Sequence, residues 1–535
     1  MNILKQIKDC AKTTPKRIAF RNQNQVLTYE ELWTASDRLA VALETACGGN
    51  RQPVAVYGHK ETFMLVCFLA CVKSGRAYCP IDRSVPDIRT EAILKCLDSP
   101  VVLTPGKLTA KTDKEIWDAG RLARLAGGGT RQEEGDAEES RAVGSGERIP
   151  QKTAVSGIQP VSGGDTFYII FTSGSTGTPK GVKITADCLN HFLEWSVGLG
   201  GPAEEKRGAV FLNQAPFSFD LSVMDLYTCL ACGGTLWCLE KEVQEDYQKL
   251  MDSLKDSGAG VWVSTPSFAE LCLADPGFEE RLLPRLRAFL FCGETLPCAT
   301  VRRLKSRFPQ AVVVNTYGPT ESTVAVTEVE ITDTMAAGSS PLPVGRARPG
   351  TRIEIRNEKG AALPEGEQGE IVILGDTVST GYLGREDLTA KAFFVSGKQG
   401  EQIRGYRTGD AGYLQDGMLY YAGRMDLQVK LHGYRIELED IESNLRKLPG
   451  VSHAVVIPRE RGGKIRSLTA FVSREQNSME GENGEQGHED GAVLRRQLME
   501  FLPSYMIPKK IVVLPRMPLT NNGKADRKAL GGMVR

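Results

Sequence analysis

The sequence predicts an α/β protein: a large N-terminal domain of doubly wound sheets with a small β-barrel, then a smaller α+β C-terminal domain. Three observations predict it. Over the first 120 residues, short runs rich in β-branched and aromatic side chains alternate with helical patterns, which argues for a parallel sheet. Over residues 351–421 the pattern turns to short strands separated by Gly-rich turns. From Asp426 onward strands and amphipathic helices alternate in a different texture, so residues 1–425 form the large domain and 426–535 the small one.

The elements follow in order. Leu27 to Leu32 reads as a strand end running into a helix, with Thr28 as N-cap and Glu31 three residues on. Residues 54–57 and 101–103 read as strands. Residues 63–72 form the longest apolar run, too short to span a bilayer, which takes about 20 residues. Residues 119–164 are rich in Gly, Glu, Arg and Ser; with no core to bury, they read as a mobile surface insertion. A second polar run, 475–491, reads as an exposed loop in the small domain.

The insertion ends at Phe167-Tyr168-Ile169-Ile170-Phe171, a buried strand in pattern, which breaks into Thr172-Ser173-Gly174-Ser175-Thr176-Gly177-Thr178-Pro179-Lys180-Gly181. Glycines let backbone N–H groups approach a polyphosphate, hydroxyls add donors, and the lysine offsets charge. The spacing is not that of a Walker A loop, because Gly177 and Lys180 are three apart.

Further strand-to-loop transitions follow, at residues 261–267, 288–294 and 312–321, where open α/β sheets bind ligands. The last carries Asn315-Thr316-Tyr317-Gly318-Pro319-Thr320-Glu321, which joins a ring able to stack on a base, a tight turn and a carboxylate able to reach phosphate-bound Mg²⁺. Alone, Glu321 would be a solvated surface residue by default. Asp220, among apolar residues, needs a partner: a substrate ammonium or the N–H groups of a helix start. Asp410, in Tyr406-Arg407-Thr408-Gly409-Asp410, either accepts ribose hydroxyls or closes a turn. Lys524 follows Asn521-Asn522-Gly523 at a turn; in isolation it reads as a surface lysine.

Composition excludes other classes. The 66 basic and 66 acidic residues cancel, which favours neither nucleic acid nor an anionic membrane surface. The charged N-terminus lacks a signal-peptide core, and 13 scattered cysteines suit reduced thiols, so a cytoplasmic location without membrane insertion is expected. Cys229 and Cys232 have C-x-x-C spacing with no second pair or nearby histidine, and read as core.

The order and spacing of these motifs resemble the adenylate-forming superfamily of acyl-CoA ligases, firefly luciferase and peptide-synthetase adenylation domains, over nearly the whole chain. The stretches from Phe211 to Asp225, Ser264 to Glu270, Phe289 to Glu294 and Lys430 to Arg435 resemble the branch that loads D-alanine onto a carrier protein. The resemblance implies two doubly wound sheets and a mobile small domain hinged at Asp426. It implies ATP and Mg²⁺ as cofactors, and D-alanine and a phosphopantetheinylated D-alanyl carrier protein as partners, in lipoteichoic acid D-alanylation. By motif, Thr172 and Ser173 contact ATP; Asn315, Thr316, Tyr317, Gly318, Pro319 and Thr320 hold adenine and phosphate; Asp410 binds ribose. Tyr421, Ala422, Gly423 and Arg424 reach the nucleotide from the domain junction. Asp220 pairs with the substrate ammonium, Met224, Cys292 and Val324 line a pocket no larger than methyl, Glu321 serves the metal, and Lys524 contacts ATP and the substrate carboxylate. Ala422 departs from the more polar residue expected before Gly-Arg. Cys292 also reads as a small core residue, which leaves chirality open. The alternatives are an adenylation enzyme for L-alanine or glycine, an acyl-CoA ligase, which would leave Asp220 unpaired, and a non-catalytic nucleotide-binding regulator.

Overall fold

A computed structural model describes residues 1–127, 157–174, 179–338, 341–397, 402–431, 433–461, 464–474, 486–518 and 525–534. Two open sheets carry the large domain. One runs in the order Glu115–Asp118, Val101–Thr104, Val54–Gly58, Tyr78–Asp82, Thr166–Thr172, Lys180–Thr185, parallel except for its last, antiparallel pair. The other places Val312–Tyr317, Ala288–Phe291, Val261–Ser264, Val210–Asn213, Thr235–Cys238 and Ile18–Arg21 side by side and parallel, with antiparallel strands at both edges.

The sheets share a core because the helices between them are apolar on more than one face. Thr62–Lys73, the long apolar run, is buried almost throughout, as a helix hydrophobic all round must be. Phe68 stacks on Tyr78 at 4.2 Å between centroids, and Tyr227 Oη donates to Tyr78 Oη at 2.8 Å, which satisfies two buried hydroxyls. The helix Tyr29–Cys47 starts on the expected Thr28–Glu31 capping box and stops at Gly48, in the left-handed conformation.

The β-rich stretch forms an antiparallel sheet on the long strand Ile403–Gln415. Gly369–Gly375 pairs along one side, flanked by Thr351–Arg356; Phe393–Ser396 and Met418–Arg424 share the other side. Beyond Arg424 the chain forms the hairpin Gln428–Leu431 and Tyr434–Glu437, then the helix Leu438–Leu445 and the three-stranded sheet of Val451–Arg461, Lys464–Arg474 and Lys510–Leu514. Ile436, Ile441, Leu445, Val456, Ala470 and Leu498 close a separate core there.

Two polar stretches carry more structure than their composition suggests. In the expected insertion 119–164, Ala119–Ala126 is a helix capped by Asp118, its Leu122 and Ala126 buried; Arg38 Nη1 donates to the Ala126 carbonyl at 3.1 Å. The surrounding Gly and Arg residues hide the short apolar period. Val161 is also buried, its N–H on the Val72 carbonyl at 2.8 Å, and residues 128–156 lie outside the described residues. In the run 475–491, the helix Gln486–Leu498 begins at 486, because the apolar period through Leu494 and Leu498 carries it toward the N-terminus; residues 475–485 are not described.

Candidate active site

The strand ends of both sheets meet the small-domain hairpin at one place. The phosphate-loop strand Thr166–Thr172 delivers Thr172, whose Oγ1 is buried with no hydrogen-bond partner among the described residues. Ser173 Oγ accepts from the Glu437 N–H at 3.2 Å and donates to the Arg435 carbonyl at 3.0 Å. Lys180 opens the antiparallel partner strand, with Nζ 5.5 Å from the Tyr382 ring centre. Ser175 to Thr178 of this loop lie outside the described residues.

The Val312–Tyr317 strand supplies the next wall. Asn315 Nδ2 donates to the Pro343 carbonyl and Thr316 Oγ1 to the Phe291 carbonyl, both at 2.8 Å, so these side chains fix neighbouring loops. Tyr317 Oη donates to Asp410 Oδ2 at 2.6 Å, and Arg424 Nη1 to Asp410 Oδ1 at 2.9 Å. Asp410 is thus no turn aspartate: it lies within a strand, held from two sides. At Gly318 a Cβ would lie 2.5 Å from Ala325 Cα, so no side chain fits. The Tyr317 and Tyr421 rings sit 6.1 Å apart, and Lys430 Nζ lies 5.8 Å from each. Asn315, Thr316, Tyr317, Gly318, Tyr421, Ala422, Gly423, Arg424 and Lys430 line a cavity of about 570 Å³, while Asp410 lines a smaller neighbouring one.

Two narrower cavities, each of about 80 Å³, meet at Asp220. Asp220 precedes the helix Leu221–Ala231 at the N-cap position but makes no side-chain cap bond, so the capping alternative is not used. Burial pushes its carboxyl above the usual range and nearby Glu321 adds to this, against the Thr320 hydroxyl and the charges of Lys430 and Arg435. Cys292 and Val324 line the first cavity, and Cys292 Sγ donates to the Val324 carbonyl at 3.7 Å. Val324 and Thr323 have φ of 69° and 62°, strained for β-branched residues; the Thr323 hydroxyl holds this turn on the Thr377 carbonyl at 2.8 Å. Met224 is fully buried in the core and is not among the residues lining these cavities. Pro80, Ser84, Arg89, Phe171 and Tyr505 line the second cavity, which also reaches Thr172 and Ser173.

Glu321 is completely buried, so its surface alternative falls. Arg435 Nη1 donates to one oxygen at 2.6 Å and Tyr382 Oη to the other at 2.8 Å. Burial alone would raise its carboxyl; Arg435, Lys180 and Tyr382 outweigh that and hold it down at about 2. Among the described residues no group of three His, Cys, Asp or Glu could hold a metal ion. A single carboxylate near Lys180 instead fits Mg²⁺, which takes one or two carboxylates plus substrate phosphates. Lys524 lies outside the described residues.

Sequence reasoning missed the residues that the small domain brings over the site. Glu294 accepts from the Ser267 N–H at 3.0 Å and from the Gly433 N–H at 2.7 Å, and so ties the hairpin turn to the large domain. Lys430, Arg435 and Glu437 also approach from this hairpin. The one available signal was the stretch from Lys430 to Arg435, distinctive in the sequence but with no partner named for any of its charges.

Comparisons with known proteins show the family and the fold. The AMP-binding enzyme family matches residues 7–383, and the AMP-binding enzyme C-terminal domain matches 440–524. The chain is 46% identical over 534 residues to a D-alanine–D-alanyl carrier protein ligase of Bacillus licheniformis, covering 99% of both chains. It is 44% identical to one of Bacillus velezensis, over the full length of both. Among solved structures, a nonribosomal peptide synthetase protein with adenylation and PCP domains superposes with TM-score 0.77 at 24% identity, covering 100% of this chain and 97% of that one. The Vibrio cholerae adenylation domain AlmE, in complex with glycyl-adenosine-5′-phosphate, gives TM-score 0.77 at 23% identity over 99% of this chain and 97% of that one. With this likeness over its whole length, the chain belongs to the AMP-binding enzyme family, among its D-alanine–D-alanyl carrier protein ligases.

Proposed function

We propose that the chain activates D-alanine with ATP to D-alanyl-AMP and passes the alanyl group to the phosphopantetheine thiol of a D-alanyl carrier protein. The observation that carries this reading is Asp220: an uncapped carboxylate in the lining of a small cavity that Cys292 and Val324 share. An ammonium satisfies that carboxylate, and a methyl group suits the narrow wall.

In the first half-reaction, Asp220 holds the ammonium while the substrate carboxylate attacks the α-phosphorus and pyrophosphate leaves. A carboxylate is a weak nucleophile, so the rate rests on alignment and on neutralising charge that builds at phosphorus. Thr172, Ser173 and Lys180 donate to the phosphates, Tyr317 packs on the base, and Asp410, gripped by Tyr317 and Arg424, receives the ribose hydroxyls. Lys524 is proposed to bridge ATP and the substrate carboxylate. Mg²⁺, held by Glu321 and phosphate oxygens, supplies further positive charge when bound. In the second half-reaction the small domain, hinged at Asp426, opens a path for the thiol, which attacks the alanyl carbonyl and releases AMP. The second cavity supports such a path, because Arg89 and Tyr505 line it together with Asp220 and Gly433.

Amino-acid-dependent exchange of pyrophosphate into ATP tests the reading, with D-alanine, L-alanine, glycine and D-serine. D-Alanine is expected to dominate, and Asp220→Asn to lower its exchange about 100-fold. Preference for another amino acid would move the substrate; no exchange with any would remove the activity.

A further inference from the structure

Lys60 is 1% exposed and takes no part in the reaction described above. It lies between the strand Val54–Gly58 and the helix Thr62–Lys73 of one sheet, yet its side chain reaches the other. There Nζ donates to Asn213 Oδ1 and to the Ala215 carbonyl, and sits 4.2 Å from the centre of the Phe217 ring. Asn213 passes the contact on: its Nδ2 donates at 2.7 Å to Oδ1 of Asp225, which is completely buried in the helix Leu221–Ala231. One ammonium thus holds residues 213, 215 and 217 directly, and 225 through an amide. Asp220 lies between these anchors, and Gln214, Ala215, Pro216, Phe219 and Asp220 all line the first cavity. We propose that Lys60 is a positioning residue for amino-acid recognition: it fixes Ala215 and Phe217 from the opposite sheet and so sets where Asp220 meets the substrate ammonium.

The segment leaves its strand at Asn213 and enters the helix at Leu221, with a turn closed by the Phe219 N–H on the Pro216 carbonyl at 2.9 Å. A buried carbonyl such as that of Ala215 needs a donor. Lys60 supplies a charged one, while Asn213 Nδ2 reaches it only at 3.4 Å. The lysine itself stands on a fixed base. Asn22 Nδ2 donates to its carbonyl at 3.0 Å, and neighbouring His59 is held by Asp82 Oδ2 at 2.6 Å and the Lys241 N–H at 3.1 Å. Burial draws the Lys60 ammonium down from its ordinary value and pushes the Asp225 carboxyl well up, and each charge pulls the other back. Losing Lys60 alone therefore leaves Asp225 buried without compensation, whereas losing both charges leaves the core neutral. The hold on Ala215 and Phe217 is lost in either case, which separates positioning from charge balance. The nucleotide-sized cavity at Tyr317 and Tyr421 is lined by none of residues 213–217, so ATP binding stands apart. This inference rests on Asp220 as the partner of the substrate ammonium.

The test is pyrophosphate exchange by the full chain, with KM for D-alanine and KM for ATP measured separately and thermal unfolding alongside. Lys60→Met is expected to lower Tm and to raise KM for D-alanine about tenfold, with KM for ATP unchanged. The decisive variant combines Lys60→Met with Asp225→Asn. Its new amide oxygen still accepts from Asn213 Nδ2, and Asn213 Oδ1 keeps the Cys238 Sγ donor at 3.2 Å. Tm is expected to return toward wild type in this double variant while KM for D-alanine stays about tenfold raised. Asp225→Asn alone, which keeps Lys60 on Ala215, is expected to leave KM for D-alanine at its wild-type value. Amide hydrogen exchange over residues 214–220, read without substrate, should quicken about tenfold in the double variant. Recovery of Tm and KM together in the double variant assigns Lys60 to charge balance and overturns the proposal, as does an equal rise in both KM values. If Lys60→Met fails to fold, the double variant carries the comparison. A wild-type chain without amino-acid-dependent exchange would instead remove the adenylation reading, while unchanged amide exchange in the double variant would overturn the hold of Lys60 by itself.

Discussion

Cys292 and Gly433 line the cavity at Asp220 from opposite domains. Cys292 Sγ is fixed on the Val324 carbonyl, so it presents a defined wall to the cavity, and in the proposed reaction that wall meets one side of the substrate α-carbon. Cys292→Ala removes that wall, and the preference for D- over L-alanine in pyrophosphate exchange is expected to fall about tenfold, read as the ratio of kcat/KM for the two enantiomers. Gly433 has φ +82°, and a Cβ there would lie 2.3 Å from Thr265 Cγ2. Gly433→Ala is expected to lower thioester transfer about 100-fold in a single-turnover assay while exchange persists, because the clash arises where the hairpin meets the large domain. Thr265→Ser removes the offending methyl, so the double variant should regain part of the lost transfer.

At the scale of elements, what was legible in the sequence follows the reach of each interaction. Thr28 and Glu31 are three residues apart, and their capping box could be read directly; Thr28→Ala is expected to cost about 1 kcal/mol in urea unfolding. The strands ending at Ser264, Phe291 and Tyr317 were equally plain, because a buried strand announces itself by its own side chains. The helix Ala119–Ala126 was not, since it is short and stands at the edge of a long run rich in Gly, Glu and Arg. Glu294 was illegible for another reason: its partners, Ser267 and Gly433, are 27 and 139 residues away. The pairing of Arg435 with Glu321 spans 114 residues, and only the fold brings the two together. Asp220, Asp410 and Glu321 were recognised as candidates, but sequence could not separate cap, turn and surface roles from ligand binding; burial and hydrogen-bond geometry set those three roles aside, and ligand binding is the proposal built on what is left.

Across the whole molecule, the two domains are joined by ion pairs withdrawn from solvent. Arg89 Nη1 donates to Asp440 Oδ2 at 3.1 Å, with side chains 9% and 0% exposed, and the Glu321 side chain is 0% exposed. Salt screens exposed charges far more than buried ones, so the interdomain distance is expected to stay constant between about 0.1 and 1 M NaCl. Acid should act differently. The Glu321 carboxyl is held below its unfolded value, so its stabilisation is present above about 4.5 and lost as pH falls toward about 2. Thermal unfolding followed from pH 5 down to pH 3 should show Tm falling, and Glu321→Gln should flatten that part of the dependence.

The paired left-handed residues Thr323 and Val324 bear on how substrate preference can change. Neither is glycine, and β-branched side chains meet steric resistance at such backbone angles. Val324→Gly would relieve that resistance and empty the cavity wall in one step. Against that relief stands burial: the Val324 side chain is packed in the core, so a descendant chain that drifts toward bulkier amino acids gives up packing energy that the relaxed backbone offsets only in part.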